Sequence, residues 1–435
     1  MKNYLQENYE AYAKTLPGQQ WQWLSALRQQ ALAQFMEQGF PTIRNEDWKY
    51  TNLQRLERQP YVLDSNNKVI SQELNIPVFS KNSHLVFIDG HFQKTLSKIS
   101  TDIQFLSFAE AAETQSKLLE NYLQQSISVE PSSLTALNLC AATDGAVIHI
   151  AEKTQPSLIE LVFYSTEQEQ NLLIQHRNII ICDAHSDTTI IEHYCGATTA
   201  ENLTNSVTEV HLKAHARLHH IKLQVESVKA VHIGNLSVQQ EDSSYLKSHV
   251  LSYDGNLVRN EIYTGLNAQN AETQLFGLFL AQKYQHMDQH TFIDHAKPHC
   301  NSNQLYRGIL MDNARGVFNG KVLVRPDAQK TCAHQKNNNL LLSANAEIDT
   351  KPELQIYADD VQCSHGATVG QLDEHALFYL RARGITLDQA RSLMIYAFAA
   401  EVLQSVPDLN LRHVLQQQLL EYLPVTAWLQ EVCHE

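Results

Sequence analysis

Residues 217–252 read RLHHIKLQVESVKAVHIGNLSVQQEDSSYLKSHVLS, three short apolar runs opening at Arg217, Val231 and Tyr245 with no helical segment between them. Working outward, runs of the same kind open near Val147, Leu158, Arg177, Thr188, Ser206, Val258 and Leu275. Comparing every second opening, from Val147 to Arg177 and so on to Leu275, gives steps of 25 to 30 residues. A fixed period in that range marks a solenoid, whose repeats bury their apolar faces only against their neighbours. The unit here reads as two strands and their turns. Parallel strands normally need a helical crossover, and hairpins need turn dipeptides at most junctions. Neither recurs, so a coil of stacked parallel strands is expected. The expected fold class is mainly β: a right-handed parallel β-helix over residues 81–368, between an N-terminal helical domain (1–80) and a C-terminal helical domain (369–435).

Bulk properties narrow the function. The chain has 435 residues, room for a large core and two or three domains. Charged residues make up 18% and hydrophobic ones 43%, as in folded proteins. A net charge of −14 argues against nucleic-acid binding, which needs a concentrated basic surface. Met1 to Thr15 lacks the apolar core of a signal peptide. No run approaches the roughly 18 apolar residues that cross a bilayer. The seven cysteines are Cys140, Cys182, Cys195, Cys300, Cys332, Cys363 and Cys433. An odd, scattered set suggests reduced thiols and a cytoplasmic protein.

At the N-terminus, Trp21 to Gln38 places Leu24, Leu27, Ala31 and Phe35 on one helical stripe, with Gly39 and Pro41 as stop signals. Strands begin near His84 and are interrupted by a helical insert at Phe108 to Gln124. Beyond the periodic field, strand-like runs continue at Gly308–Leu310, Val322–Val324, Leu340–Leu342 and Leu354–Tyr357. Asn337, Asn338 and Asn339 precede one of these, where asparagines suit tight turns. In the last seventy or so residues Asp373 can cap a helix to Arg383, ended by Gly384. Thr386 and Gln389 form a capping box opening a helix with Ala390, Leu393, Met394, Ala397 and Phe398 on one face. A third helix spans Leu411 to Leu423. An open solenoid end exposes unpaired backbone groups, so helices or a partner chain must cover it.

Four motifs invite chemistry. Cys332 with His334 and Cys363 with His365 form two Cys-x-His pairs, each on one face of a strand. They lie 31 residues apart, near the turn length, so all four could stack on neighbouring coils about 4.8 Å apart. Thiolate and imidazole suit zinc or iron–sulfur species, and ordinary strand packing is the alternative. His286, His290, His295, His299 and Cys300 are dense, but Met287 stands where a helical metalloprotease box needs Glu. Packing and turn roles are expected there. Gly316 to Lys321 has three residues between its glycines and Val322 after the lysine, so it is no phosphate-binding loop. Asp359 and Asp360 invite a polysaccharide-active β-helix, yet adjacent strand residues face opposite sides. That enzyme and a stand-alone zinc protein remain the alternatives.

Motifs such as Pro298-His299-Cys300, Val317-Phe318-Asn319-Gly320-Lys321 and Cys363-Ser364-His365-Gly366, in the stretch from His295 to Ala400, give the chain a resemblance to the SufD subunits (SufB/SufD family) of the SUF iron–sulfur cluster assembly machinery. The resemblance runs through Pro298-His299-Cys300, Ser302-Asn303-Gln304, Gly308, Val317-Phe318-Asn319-Gly320-Lys321 and Ala328-Gln329-Lys330-Thr331. It continues through Asn338 to Leu342, Lys351-Pro352-Glu353-Leu354, Asp359 to Gly370, Phe378-Tyr379-Leu380 and Arg383-Gly384. Asp47-Trp48-Lys49-Tyr50-Thr51 is similar to the family's N-terminal signature. The resemblance implies a β-helix with helical domains at both ends and a non-catalytic scaffold. It implies pairing with a SufB subunit through the β-helix ends and docking of a separate SufC ATPase on the C-terminal helices. It leaves self-pairing without SufB open. It also implies that His365 acts in cluster assembly at the SufB interface, with Cys363 its neighbour on the same face. Any iron–sulfur cluster is expected to be transient there. The family's complex is associated with a reduced flavin, for which no motif in this chain marks a site. Cys332 departs from the family pattern, which has no cysteine after the Thr331 equivalent, so the four-residue set is not carried over.

Overall fold

A computed structural model describes residues 1–63, 76–100, 103–126, 132–154 and 158–429; Cys433 lies outside these. Strands alternate between two parallel sheets and coil as a solenoid. The first sheet runs through Leu158–Ser165, Asp187–Gly196, Arg217–Val225, Tyr245–Ser252, Glu272–Ala281, Asn301–Leu310, Thr331–Leu341 and Val361–Gly370. The second runs through Ala146–Ile150, Arg177–Cys182, Leu203–Leu212, Val231–Gln240, Leu257–Leu266, His286–His295, Arg315–Val324 and Glu347–Ile356. Val231 pairs with Leu257 and Arg315 with Glu347, so one turn takes between 26 and 32 residues. The apolar runs read from the sequence fall on these strands.

Every corner from the second sheet to the first except the last is built on a residue in the left-handed region, including His185 (φ 59°), His215 (φ 60°), Asn270 (φ 61°), His299 (φ 61°) and Lys330 (φ 61°). Their N–H groups donate to the next corner: His215 to Asp242 O (2.8 Å), His299 to Gln329 O (2.9 Å), Lys330 to Asp360 O (2.7 Å). Hydrogen bonding thus continues through the bends as well as the sheets.

The lining changes along the axis. Its earlier coils bury ionisable groups: Glu192 accepts from Tyr194 Oη (2.7 Å) and lies 3.1 Å from His220 Nε2, while Glu226 meets His232 at 2.7 Å. Burial would raise the Glu192 carboxyl, but the His220 contact and Lys222 hold it down at about 2. Later coils are filled by Phe279, Tyr306 and Phe318. Gly277 gives the space: a Cβ there would sit 2.1 Å from the Tyr306 ring.

The end segments cover the two outer faces. Helices Lys2–Ala13 and Gln22–Gln38 share one core with Phe108–Thr114, Ser116–Ser126 and Ser133–Ala141. Leu24, Ala31 and Phe35 are buried as their stripe predicts. The C-terminal helices Glu374–Arg381, Leu387–Ala400 and Leu409–Tyr422 fold back on the first sheet. Leu387–Ala400 buries Ala390, Ser392, Ile395 and Ala399, whereas Ala397 is exposed and Leu393 and Met394 are half-buried. The expected face is therefore corrected: Ala390 is buried as expected, but the stripe against the first sheet is turned toward Ile395 and Ala399. Asn337 to Asn339 also differ from expectation: they lie within a strand, with Asn339 Nδ2 donating to Asn337 Oδ1 at 2.6 Å. Gly316 to Lys321 is likewise strand, not loop.

Candidate functional site

Strands Glu347–Ile356 and Val361–Gly370 are the last of their sheets, each paired on one side only. Their free sides carry rows of unpaired N–H and C=O groups, a template for another chain. Ile356, Tyr357 and Val369 stand exposed beside them. The chain leaves the solenoid after Val361–Gly370, so the inner face of that strand lies at the mouth of the coil.

Register decides what lines that mouth. Cys363 pairs with Ala333 and His365 with Gln335, both buried in the lining. Cys363 and His365 therefore face inward, Cys363 half-buried and His365 exposed at the open end. Burial pushes the Cys363 thiol up. Cys332 pairs with Gln362 and His334 with Ser364, on the outer face. The stack of four ligands is thus corrected. The two pairs are 31 residues apart, but the register between these strands is 30 (Thr331 with Val361), and an odd difference puts them on opposite faces. Among the described residues no group of three or more His, Cys, Asp or Glu is placed to hold a metal ion.

The dense histidine segment lies in strand His286–His295 and its following corner. His295 points inward and reaches Ser302 Oγ at 2.8 Å. His286 and His290 flank Asp288 on the outer face, in a clamp that the sequence reading missed. Asp288 accepts from Thr51 Oγ1 (2.5 Å) and Arg259 Nη1 (2.5 Å), and meets His290 Nε2 at 2.9 Å. The Arg259 guanidinium lies 3.6 Å from the centroid of the Trp48 ring. Burial would raise the Asp288 carboxyl; Arg259 and His290 overrule it and hold it far below the usual carboxylate range. The Asp47-to-Thr51 run is thus an anchor to the second sheet. The signal was the run itself; its partners lie more than two hundred residues away.

Beside this anchor a groove of about 630 Å³ is lined by Glu46, Asp47, Arg259, Glu261, Lys321 and Lys351 among others. Arg259 is ion-paired with Glu261 and Asp288, and Lys351 with Glu46.

Asp359 and Asp360 form no acid pair across a cleft: Asp360 is ion-paired with Lys330 at a corner. On the C-terminal helices Phe378, Tyr379, Leu387 and Leu409 are exposed, with Arg383 4.1 Å from the Tyr379 ring centroid. No helix among the described residues is long and apolar enough to cross a membrane.

Comparison with known proteins agrees with this architecture. Residues 163–398 match the family model described as SUF system FeS cluster assembly, SufBD core domain, and residues 1–157 match the SufBD protein N-terminal region. The iron–sulfur cluster assembly protein SufD of Escherichia coli is 32% identical over 91% of this chain and 92% of its own length. A SufBD family protein of Synechocystis is 33% identical over 87% and 86%, and the SufD protein of Bacillus subtilis 26% over 88% and 90%. Two matched regions that together cover residues 1–157 and 163–398, with a relative aligned over 92% of its own length, place this chain in the SufB/SufD family of iron–sulfur cluster assembly proteins, as a SufD-like member.

Proposed function

We propose that this chain is a non-catalytic scaffold subunit that pairs with a SufB-like protein through the open end of its solenoid. A SufC-like ATPase docks on the exposed aromatic residues of its C-terminal helices and supplies the hydrolysis. The observation that carries this reading is the pair of one-sided strands, Glu347–Ile356 and Val361–Gly370, whose free backbone groups are satisfied by a partner's edge. His365 and Cys363 then line the seam. The nascent cluster is cargo there, and an imidazole fixed on a strand gives it a ligand or moves a proton while partner residues complete the coordination. The six described cysteines are free thiols, which supports a cytoplasmic setting. No observation favours a polysaccharide-active or stand-alone zinc protein.

The test is co-expression with SufB-like and SufC-like subunits. Placing lysines on the edge (Ile356→Lys with Val369→Lys) weakens pairing at least about 100-fold, with an unchanged circular dichroism spectrum. His365→Ala leaves the complex assembled but lowers its iron and sulfide content. Retained co-purification of the double variant sinks the edge model, and an unaltered cluster yield removes His365 from the chemistry.

A further inference from the structure

The outer face of the same terminal coil carries a second constellation, separate from the mouth. Cys332 Sγ lies 3.4 Å from His334 Nε2, and the other ring nitrogen, Nδ1, lies 2.7 Å from Ser364 Oγ on the neighbouring strand. Residues two apart on one strand share a face, and parallel pairing sets His334 directly opposite Ser364. The result is nucleophile, base and orienting group in hydrogen-bonding sequence, the arrangement that activates a thiol. Cys332 is half-buried and His334 exposed, so an incoming molecule can reach the sulfur. Cys140, Cys182, Cys195 and Cys300 are buried, and Cys363 faces the lining. Because Cys332 sits on the outer face of the penultimate strand, pairing along the edge of Val361–Gly370 leaves it open.

We propose that Cys332, with His334 as its base and Ser364 as a positioning residue, is a nucleophilic thiol that accepts sulfane sulfur from a donor persulfide. This rests on the family's role in building iron–sulfur clusters, which requires a supply of sulfur, and not on the edge pairing proposed above. His334 takes the Cys332 proton. The thiolate attacks the outer sulfur of the donor, R–S–SH; the donor's S–S bond breaks as a new one forms on Cys332. The leaving thiolate takes the proton back from His334. The products are Cys332 persulfide and R–SH, with no external oxidant or reductant. The reaction that precedes this one is therefore of the class that generates a protein or small-molecule persulfide, and the one that follows passes the sulfur on.

The experiment treats the full-length chain with glutathione persulfide at pH 7 and maps the modified peptides by mass spectrometry. The expected result is one added sulfur atom on the Cys332 peptide, absent in Cys332→Ser. His334→Ala slows the transfer about tenfold or more, and added imidazole restores part of the rate. Ser364→Ala slows it several-fold, and Ser364→Thr returns it. These side chains lie on a solvent-facing surface, and circular dichroism verifies that each variant is folded. Equal labelling of Cys332 in the parent and His334→Ala chains overturns the proposal, as does faster labelling of Cys363 or Cys433. Stoichiometric metal on Cys332 and His334 that blocks the labelling overturns it too. A failed edge variant in the co-expression experiment leaves this result untouched, so the two readings fail separately.

Discussion

Both outer faces of the solenoid are covered by segments from the chain ends through apolar packing, but the arginine–carboxylate anchor is fully buried on one face (Arg259 with Asp288) and half-exposed on the other (Arg307 with Glu401). The second sheet holds Asp47 to Thr51 through buried charge: Arg259 between the Trp48 ring and Asp288, with Thr51 on the same carboxylate. The first sheet holds the C-terminal helices through apolar packing, with Ile221, Leu251, Leu278 and Ile309 against Ile395, Leu403, Leu415 and Leu419. A charged anchor is specific in position and intolerant of losing one partner, because the other is left buried and uncompensated. An apolar contact tolerates exchange and loses stability in proportion to the volume removed. The difference implies that losing a charged partner costs more on the N-terminal side than on the C-terminal side.

Three measurements test that contrast. Removing the carboxylate (Asp288→Ala) leaves the buried Arg259 guanidinium with Glu261 as its remaining ion-pair partner and takes the acceptor from Thr51, and urea denaturation is expected to show a loss of about 3 kcal/mol. A loss below about 1 kcal/mol would mean the anchor is solvated. On the other face, Leu415→Ala empties a fully buried site and is expected to cost about 3 kcal/mol, partly rescued by methionine. The smallest effect separates the faces by pH. His249, beside Ser405 of the C-terminal segment at 2.8 Å, is pushed well below the ordinary histidine range by burial, with His219 and Lys247 adding to it. It stays neutral when folded, and the unfolded chain takes up a proton below about pH 6.5, so stability falls as pH drops through that value. His249→Gln should flatten this slope by about 1 kcal/mol between pH 7 and 5.5. An identical slope in both proteins would assign the pH dependence elsewhere.

The same contrast explains what could be read in advance. The coil was legible because the strands opening at Arg217, Val231 and Tyr245 bury aliphatic side chains on both faces at a steady period, Leu218, Leu236 and Val250 inward and Ile221, Ile233 and Leu251 outward. The polar halves of later strands were not: Thr331 to Asn339 turns Gln335, Asn337 and Asn339 into the lining, where the two asparagine amides bond to each other, to Tyr306 O and to Thr350, and no alternation of apolar residues announces it. Two of the C-terminal helices were visible from their caps, with Asp373 and Thr386 each accepting a backbone N–H. The buried face of Leu387–Ala400 was misjudged in part, because a stripe of apolar residues does not reveal that Ser392 is buried with Ile395 and Ala399. Inward placement of His365 followed from strand geometry once register was known. Its separation from Cys332 and His334 did not, since a register differing by a single residue is invisible in spacing alone.

The corners fix that register. Lys330 hands its N–H to Asp360 as His215 does to Asp242, so each bend is locked to the next at a set length. One residue gained or lost in the bend at Lys330 would rotate every side chain of the following strand to the other side of the wall. Cys332 and His334 would then look into the bore and their neighbours out of it, with no amino acid replaced. Bend length is thus an inherited switch for the chemistry a coil displays, and insertions should accumulate in bends remote from the terminal coil rather than beside it.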